Sequence, residues 1–395
     1  MLIQIHMLQN YAPSNLNRDD TGSPKDTVFG GVPRGRISSQ CLKRSIRKSV
    51  VFEEAFKAEG LLGERTKQLP LILRKELESL EADKSVIEAI IARVPEVGRE
   101  SKKKGRESEG EVGDEGVEEV QESGEEKAAE DETKQLIFID RKTEARPLAD
   151  NLLKLHNEFG AKAWPKIKID EITKKLGPSL PRSVDIAMFG RMTTSQAFKD
   201  VQAAVQVAHA LSTNALKQDF DYYTAMDDLK PESEPGADMI GDVEFNSCTY
   251  YKYLNVHWED LVKNLGGDAE ATTIAHRALL ALLEAAATAH PSGKQNAFSA
   301  FNLPDFVLVE VGERNLPINY ANAFLKPVRG YGDNTLLQKS VEQLSEYVGR
   351  LSKVYNLNPN RAYIAVEDVA FLDLKAQPSL NDLKVWLDNQ LIQPA

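Results

Sequence analysis

Apolar and polar positions alternate over residues 2–8 (LIQIHML), which is the period of a half-buried strand. The same alternation over 243–257 (VEFNSCTYYKYLNVH) predicts one long strand. Shorter runs at 306–311 (FVLVEV) and 362–367 predict two more, and the apolar run 184–189 (VDIAMF) reads as a buried strand. Helical spacing starts near Ser38 or Ser39, either of which suits an N-cap, and runs to about Lys57. Further helices are predicted over about 72–93, 143–158, 168–176, 195–211, 268–289 and 340–353. A last one begins at Ser379 and Asp382, which resemble a capping box. Residues 9–37 carry Pro13, Pro24, Pro33 and four glycines and predict a long loop. Residues 213–242, with Pro231, Pro235, Gly236 and Gly241, predict an excursion in the form of a long hairpin or loop. Strands and helices follow one another without a simple βαβ repeat, so the pattern favours an α+β fold with helical and hairpin insertions.

The chain of 395 residues, 42% of them apolar, is long enough for two or three domains or one elaborated domain. No window holds the roughly 18 apolar residues that a membrane span needs. The start, MLIQIHMLQNYAPSN, lacks a basic n-region and a small-residue cleavage site and reads as mature sequence. The two cysteines, Cys41 and Cys248, read as small core residues, and a reducing, cytoplasmic location is expected.

The net charge of −11 hides its distribution. Residues 97–132 hold fourteen acidic and six basic side chains, so the rest of the chain is close to neutral. The surrounding stretch 96–134, rich in Glu, Lys, Gly and Ser, is too poor in apolar residues to offset chain entropy and predicts a disordered or weakly helical insertion. Residues 18–48 instead hold eight basic side chains against three aspartates. Within them, Lys43 and Arg47 share one helix face, with Arg44 and Lys48 in the neighbouring row. Leu42 and Ile46 lie on another face and can anchor the helix to a core. The rows climb about 6 Å per pair, comparable to the phosphate spacing of an extended single strand. The preceding loop adds Arg18, Lys25, Arg34 and Arg36, and Gly30, Gly31 and Gly35 would let backbone N–H groups approach a phosphate. A solvated basic face is the alternative.

Gly30 to Ile37 has the two glycines of a phosphate-binding P-loop but lacks its Lys and Ser/Thr, which excludes nucleotide hydrolysis there. The six histidines are scattered, with no metal-ligand spacing, and His209 reads as a core histidine on an apolar helix. No catalytic constellation, metal site or cofactor motif is legible. Gly190-Arg191-Met192 follows the VDIAMF run and would expose Arg and Met to a partner; a tight turn with a core methionine is the alternative. Met239 and Ile240 end the polar excursion, as an interaction point or as a tip folded back on the core.

The run Leu16-Asn-Arg-Asp-Asp20, Lys25-Asp26, Phe29-Gly-Gly31, Arg36-Ile-Ser-Ser-Gln40, Leu42-Lys-Arg44 and Arg47-Lys-Ser49 resembles the CasC backbone subunit family of the type I-E CRISPR Cascade surveillance complex. Val184-Asp-Ile-Ala187, Gly190-Arg-Met192, Ala208-His-Ala210, Thr224-Ala225, Asp227-Asp-Leu229, Ala300-Phe-Asn302, Ala321-Asn-Ala-Phe324 and Leu383–Trp386 extend the likeness over nearly the whole chain.

The resemblance implies an α+β, right-hand-shaped subunit. Its palm is a modified RRM-like (ferredoxin-like) sheet, built from 1–58, 181–212 and 243–395. Helical fingers cover 59–180, including the acidic insertion, and a β-hairpin thumb covers 213–242. It also implies a non-enzymatic subunit, with no cofactor, that binds guide crRNA and stacks with copies of itself along it in a hexameric backbone. Other Cascade subunits and target DNA are its further partners in antiviral defence, and no membrane is involved. The family's guide-binding positions fall on Arg18, Lys25, Ser38, Gln40, Lys43, Arg44 and Arg47, while Met192 and Ile240 match apolar positions that bracket a displaced nucleotide. Lys162, Lys166, Lys168, Lys174 and Lys175 are candidates for touching the DNA duplex. No base-stacking aromatic signature is visible, so binding mainly to the RNA backbone is expected. The competing readings are an RNA-processing nuclease of the same RNA-motif superfamily, for which no general base falls in a matched motif, and a basic-helix DNA-binding regulator.

Overall fold

The computed structural model describes residues 1–97, 132–133, 136–176, 181–193, 197–225, 239–314, 316–330 and 335–392. Nearly all of the acidic stretch and the connection at 226–238 lie outside them. The described chain divides into two compact units. Met1–Val51, Gln206–His257 and Leu279–Ala395 form the first, and Phe52–Val205 with Trp258–Ala278 form the second. Residues 181–205 and 258–278, expected in the palm, therefore cluster with the helical unit.

The first unit is built on an antiparallel sheet in the order Asn360–Ala365, Phe306–Gly312, Leu2–Asn10, Thr249–His257, Ala210–Ser212, Val32–Ile37, Asp26–Phe29. Leu2–Asn10 lies between two long neighbours and is buried along almost its whole length, so its alternation separates two covered faces rather than core from solvent. On one face, Leu8, Leu308, Phe306, Tyr251 and Tyr363 pack with Phe324 and with Leu337, Val341, Leu344 and Val348 of the helix Leu336–Tyr355. Thr335 and Gln338 cap that helix reciprocally. The other face carries Ile3, Ile5 and Met7, paired in register with Val256, Leu254 and Lys252.

The second unit packs the helices Leu69–Ser79, Lys84–Ile91, Arg146–Phe159 and Ile169–Leu176 around one apolar core. Trp164 is buried there and donates its indole N–H to the Ala89 carbonyl at 2.9 Å. A two-stranded ribbon joins Glu64–Thr66 to Ile137–Ile139.

The α+β class agrees with the sequence pattern, but several elements differ. VDIAMF is a helix, Val184–Phe189, with every side chain buried. A short run buried all round has no polar face to reveal its period. Asp185 accepts from the Gly63 and Ile186 N–H groups, and Gly190, at φ +81°, ends the helix. A side chain at Gly190 would meet the Val201 carbonyl at 2.9 Å. The predicted helix 195–211 is instead irregular over its described residues up to the short strands Val205–Val207 and Ala210–Ser212. The loop 9–37 contains the hairpin Asp26–Phe29 with Val32–Ile37. Gly30 and Gly31, at φ +62° and +76°, make its two-residue turn, so these glycines serve the hairpin. The predicted strand 243–257 is two strands, Met239–Asn246 and Thr249–His257, belonging to different sheets. The first long helix stops at Arg47, where the Ser49 hydroxyl donates to the Ile46 carbonyl at 2.7 Å, and resumes as Val50–Phe56. The helix predicted over 72–93 is broken by Glu81 at φ +55°.

Candidate nucleic-acid interface

The basic helix, Ser39–Arg47, is built as its sequence demands. Ser38 sits in the extended N-cap conformation and its hydroxyl accepts the Cys41 N–H at 3.2 Å. Leu42 and Ile46 are buried and fix the helix to the sheet unit. Lys43 and Arg47 are half-buried, while Arg44 and Lys48 are exposed. Arg44 and Arg47 in the last turn also complement the helix dipole.

One residue that sequence reasoning passed over organises the surroundings. Buried Asn17 accepts the Ser38 N–H on its side chain at 2.8 Å, and its carbonyl accepts the Lys25 N–H at 2.8 Å. Lys25 in turn accepts the Arg36 N–H at 2.9 Å, and Arg18 bridges to Pro24. Arg18, Lys25, Gln40, Lys43, Arg44 and Arg47 are thus brought together in one unit, around one helix, while Ser38 at its start is buried with its hydroxyl on the Cys41 N–H. The signal for Asn17 was its place directly before Arg18, the first cation of the chain.

Two expected cations are not available to a ligand. Arg34 is fully buried, and its guanidinium donates to the carbonyls of Ser212, Thr213 and Phe324 at 2.6–2.9 Å. Burial lowers its pKa, and its fork of N–H donors is turned to backbone carbonyls. Replacing Arg34 with Met is expected to lower stability by about 3 kcal/mol, because several buried carbonyls lose their donors. Urea unfolding measures this, and a loss below about 1 kcal/mol would contradict the structural role. Arg191 is likewise buried, paired bidentately with Glu144 at 2.6 and 2.8 Å. Met192 beside it is 75% exposed, so the expected exposure holds for Met192 and fails for Arg191.

The excursion is a hairpin, Gln218–Ala225 with Met239–Asn246, whose outgoing strand is exposed throughout. The returning strand extends beyond 242 to Asn246. Register places Phe220, Tyr222 and Ile240 on one face, with Tyr223 and Met239 on the other. All five are exposed, so Met239 and Ile240 are not folded back on a core. The aromatic residues were readable as alternation in FDYYT but went unremarked. The hairpin base is tied to the basic loop. Ser14 and Asn246 exchange backbone hydrogen bonds at 2.9 and 3.0 Å, and the Asn15 amide donates to the Glu244 carbonyl at 3.0 Å. Phe245 packs on Phe298 at 5.5 Å between ring centroids.

In the second unit, Lys162, Lys166, Lys168, Lys174 and Lys175 are all exposed along the turn and helix that follow Phe159. Arg93 holds this turn by donating to the Trp164 and Ile167 carbonyls at 2.7 and 2.8 Å. Lys175 is engaged by Glu158 at 2.6 Å and lies 4.3 Å from the Phe159 ring centroid.

The histidines have structural neighbours. His156 packs on Trp164, His276 on Trp258 and His290 on Tyr11. His209 lies between short strands, not on a helix, with its Nδ1 3.3 Å from the Arg36 guanidinium. Among the described residues no group of three His, Cys, Asp or Glu side chains could hold a metal ion, and no helix is long and apolar enough to cross a membrane.

A family model described as "CT1975-like protein" (Cas_CT1975) matches residues 3–386. A solved chain of a "CRISPR RNA-guided surveillance complex, pre-nicking" is 29% identical with a TM-score of 0.75, over 99% of this chain and all of that one. A chain of another "CRISPR RNA-guided surveillance complex" is 24% identical with a TM-score of 0.59, over 99% of each, and shares the fold. No curated protein matches.

Proposed function

Because the chain belongs to the CT1975-like family of Cascade backbone subunits, we propose that it is the non-catalytic, guide-binding backbone subunit of a type I-E interference complex in the cytoplasm. The observation that carries the reading is the basic helix. Arg18, Lys25, Lys43, Arg44 and Arg47 gather around it, with Asn17 joining loop and cap. Cations at successive turns match successive phosphates of a single strand and do not read bases, so binding is independent of guide sequence. Gln40, half-buried at the start of the same helix, adds a polar contact to the RNA, and buried Ser38 acts through the cap that starts the helix.

The sheet unit serves as palm, the helical unit as fingers and the exposed hairpin as thumb. Ile240, with Phe220 and Tyr222 on its face, is a wedge for a displaced nucleotide, and exposed Met192 is an apolar contact for the guide RNA. Copies stack along the crRNA, six in one complex, and leave the remaining bases open for target DNA. The exposed lysines of the second unit meet the duplex. The chain works with other Cascade subunits in antiviral defence.

The test mixes pure protein, single-stranded RNAs of increasing length and Mg²⁺. Light scattering should show complexes that gain protein copies stepwise with RNA length, and the RNA should stay intact. A fixed one-to-one complex at every length, or cleaved RNA, would overturn the proposal, cleavage in favour of a processing nuclease.

A further inference from the structure

A loop outside the basic helix is locked against the cationic segment that the proposed function uses. Residues 290–302 precede the strand Phe306–Gly312 in the sheet unit. At the start of the loop the His290 ring meets Tyr11 edge-on, and at its end the Asn302 side chain accepts the Ala12 N–H at 3.1 Å. The Gln295 amide donates to the Pro291 and Ala300 carbonyls, at 3.0 and 3.3 Å, and closes the loop on itself. Between these anchors Gly293 lies against the chain that leads to Arg18. A Cβ at Gly293 would collide with the Leu16 carbonyl oxygen and stand 2.7 Å from that of Asn15, so only glycine permits this approach. Further along, Phe298 packs on Phe245 at the foot of the exposed hairpin.

Lys294 follows directly. It is exposed, and among the described residues no carboxylate pairs with its ammonium group. Its backbone is left-handed, at φ +48°, and that of Ser299 is at φ +50°. Glycine would take this conformation without strain, so the fold by itself does not call for a lysine here. On the facing segment Arg18, two residues beyond Leu16, is exposed as well. Asp19 beside it is engaged elsewhere, because its carboxylate accepts from Thr21 and Ser23 inside its own turn at 2.7–3.0 Å. Two exposed cations thus stand on segments that touch, and an anion from outside relieves their repulsion.

We infer that Lys294 is a further guide-binding residue, positioned by Gly293, and that with Arg18 it holds an RNA phosphate between the basic helix and the foot of the hairpin. The inference rests on the proposed function and adds to it a contact from a loop far from the basic helix in sequence. The Asn17 hydrogen bonds tie the Arg18 segment to the helix, and the Ser14–Asn246 pair ties it to the hairpin. A cation beside Gly293 therefore stands where helix, cationic loop and hairpin meet. Phosphate is the anion this junction suits, since Lys294 offers a mobile point charge and Arg18 a planar fork of donors. Such contacts carry no base information, in keeping with a guide of any sequence.

Lys294→Gly in the full chain separates a binding residue from a structural one. Glycine takes over the left-handed backbone, so the melting temperature should not fall. Affinity for single-stranded RNA, followed by fluorescence anisotropy, should drop about fourfold at 0.15 M salt, and the slope of log affinity against log salt by about 0.7, the share of one phosphate contact. Lys294→Arg should restore both. Gly293→Ala keeps every charge but parts the loop from Leu16, and should weaken RNA binding through position alone. Wild-type affinity and salt slope in Lys294→Gly would overturn the inference, as would a loss that Lys294→Arg does not reverse. Wild-type binding by Gly293→Ala would overturn the positioning role, and Lys294→Gly still decides the contact where that variant does not fold. Wild-type protein that binds no RNA would refute the proposed function and this inference with it, whereas a loss in the variants of the basic helix alone would leave the proposed function standing without Lys294.

Discussion

Replacing Lys43, Arg44 and Arg47 together with alanine is expected to lower the affinity for single-stranded guide RNA by about fifty-fold at 0.15 M salt. Each phosphate contact on a single strand contributes about 0.7 to the slope of log affinity against log salt, so three contacts give a slope near 2. The slope itself should fall by about that amount in the triple variant, and the loss should be the same for unrelated guide sequences. Stability should change little. Leu42 and Ile46 still anchor the helix, the Ser38 cap remains, and alanine is a good helix former. The losses are a few tenths of a kcal/mol of dipole interaction and some packing of the half-buried Lys43 and Arg47 stems. Filter binding at several salt concentrations, with a melting curve of the variant, measures both. An unchanged salt slope, or a loss confined to one guide sequence, would show that the helix is a solvated face.

What the sequence disclosed about this interface was the part governed by local rules. The cap at Ser38, the apolar pair Leu42/Ile46 and the cation rows are set within one helix, and the period shows them directly. Arg34 and Arg191 were misread because a charged residue carries no mark of burial in sequence. Their enclosure depends on carbonyls and carboxylates such as Thr213, Phe324 and Glu144, which only folding brings near. The helix Val184–Phe189 was hidden for a related reason, since burial on all sides removes the contrast from which a period is read. The hairpin at 26–37 was concealed by Pro33 and the glycines, although Gly30-Gly31 between two short runs is itself a turn signal. The exposed hairpin beyond residue 217 was legible as an excursion, but its split from Thr249–His257 was not. Alternation continues across Ser247 and Cys248 while the pairing partner changes. Asn17 carries its role through two hydrogen bonds across the chain, one to each cationic segment, and spacing alone has no means of showing them.

Replacing Glu310 with Gln is expected to destabilise the sheet unit by about 3–5 kcal/mol, the cost of leaving a buried charge without its partner. Glu310 is fully buried on the sheet face opposite Lys252. Its carboxylate accepts from the Tyr320 hydroxyl at 2.9 Å, pairs with the Arg361 guanidinium and lies 3.3 Å from the His6 ring nitrogen. His6 is enclosed by Tyr253 and Tyr320 and meets the Tyr251 hydroxyl at 2.8 Å. Burial alone would raise the Glu310 pKa; hydrogen bonds and charge from His6 and Arg361 outweigh it and hold the group at about 2. A carboxylate depressed in this way contributes stability that is complete above its ordinary value of 4.5 and is lost as pH falls from there to about 2. The gap in stability between wild type and Glu310→Gln should therefore be widest near neutral pH and shrink by about 3 kcal/mol on going down to pH 2. Chemical denaturation at pH 7, 4 and 3 follows it. The basic helix packs over the other face of the sheet, so the folded fraction of the variant should bind guide RNA as wild type does. A gap that stays constant with pH would mean that Glu310 is held by shape and hydrogen bonds with no role for its charge.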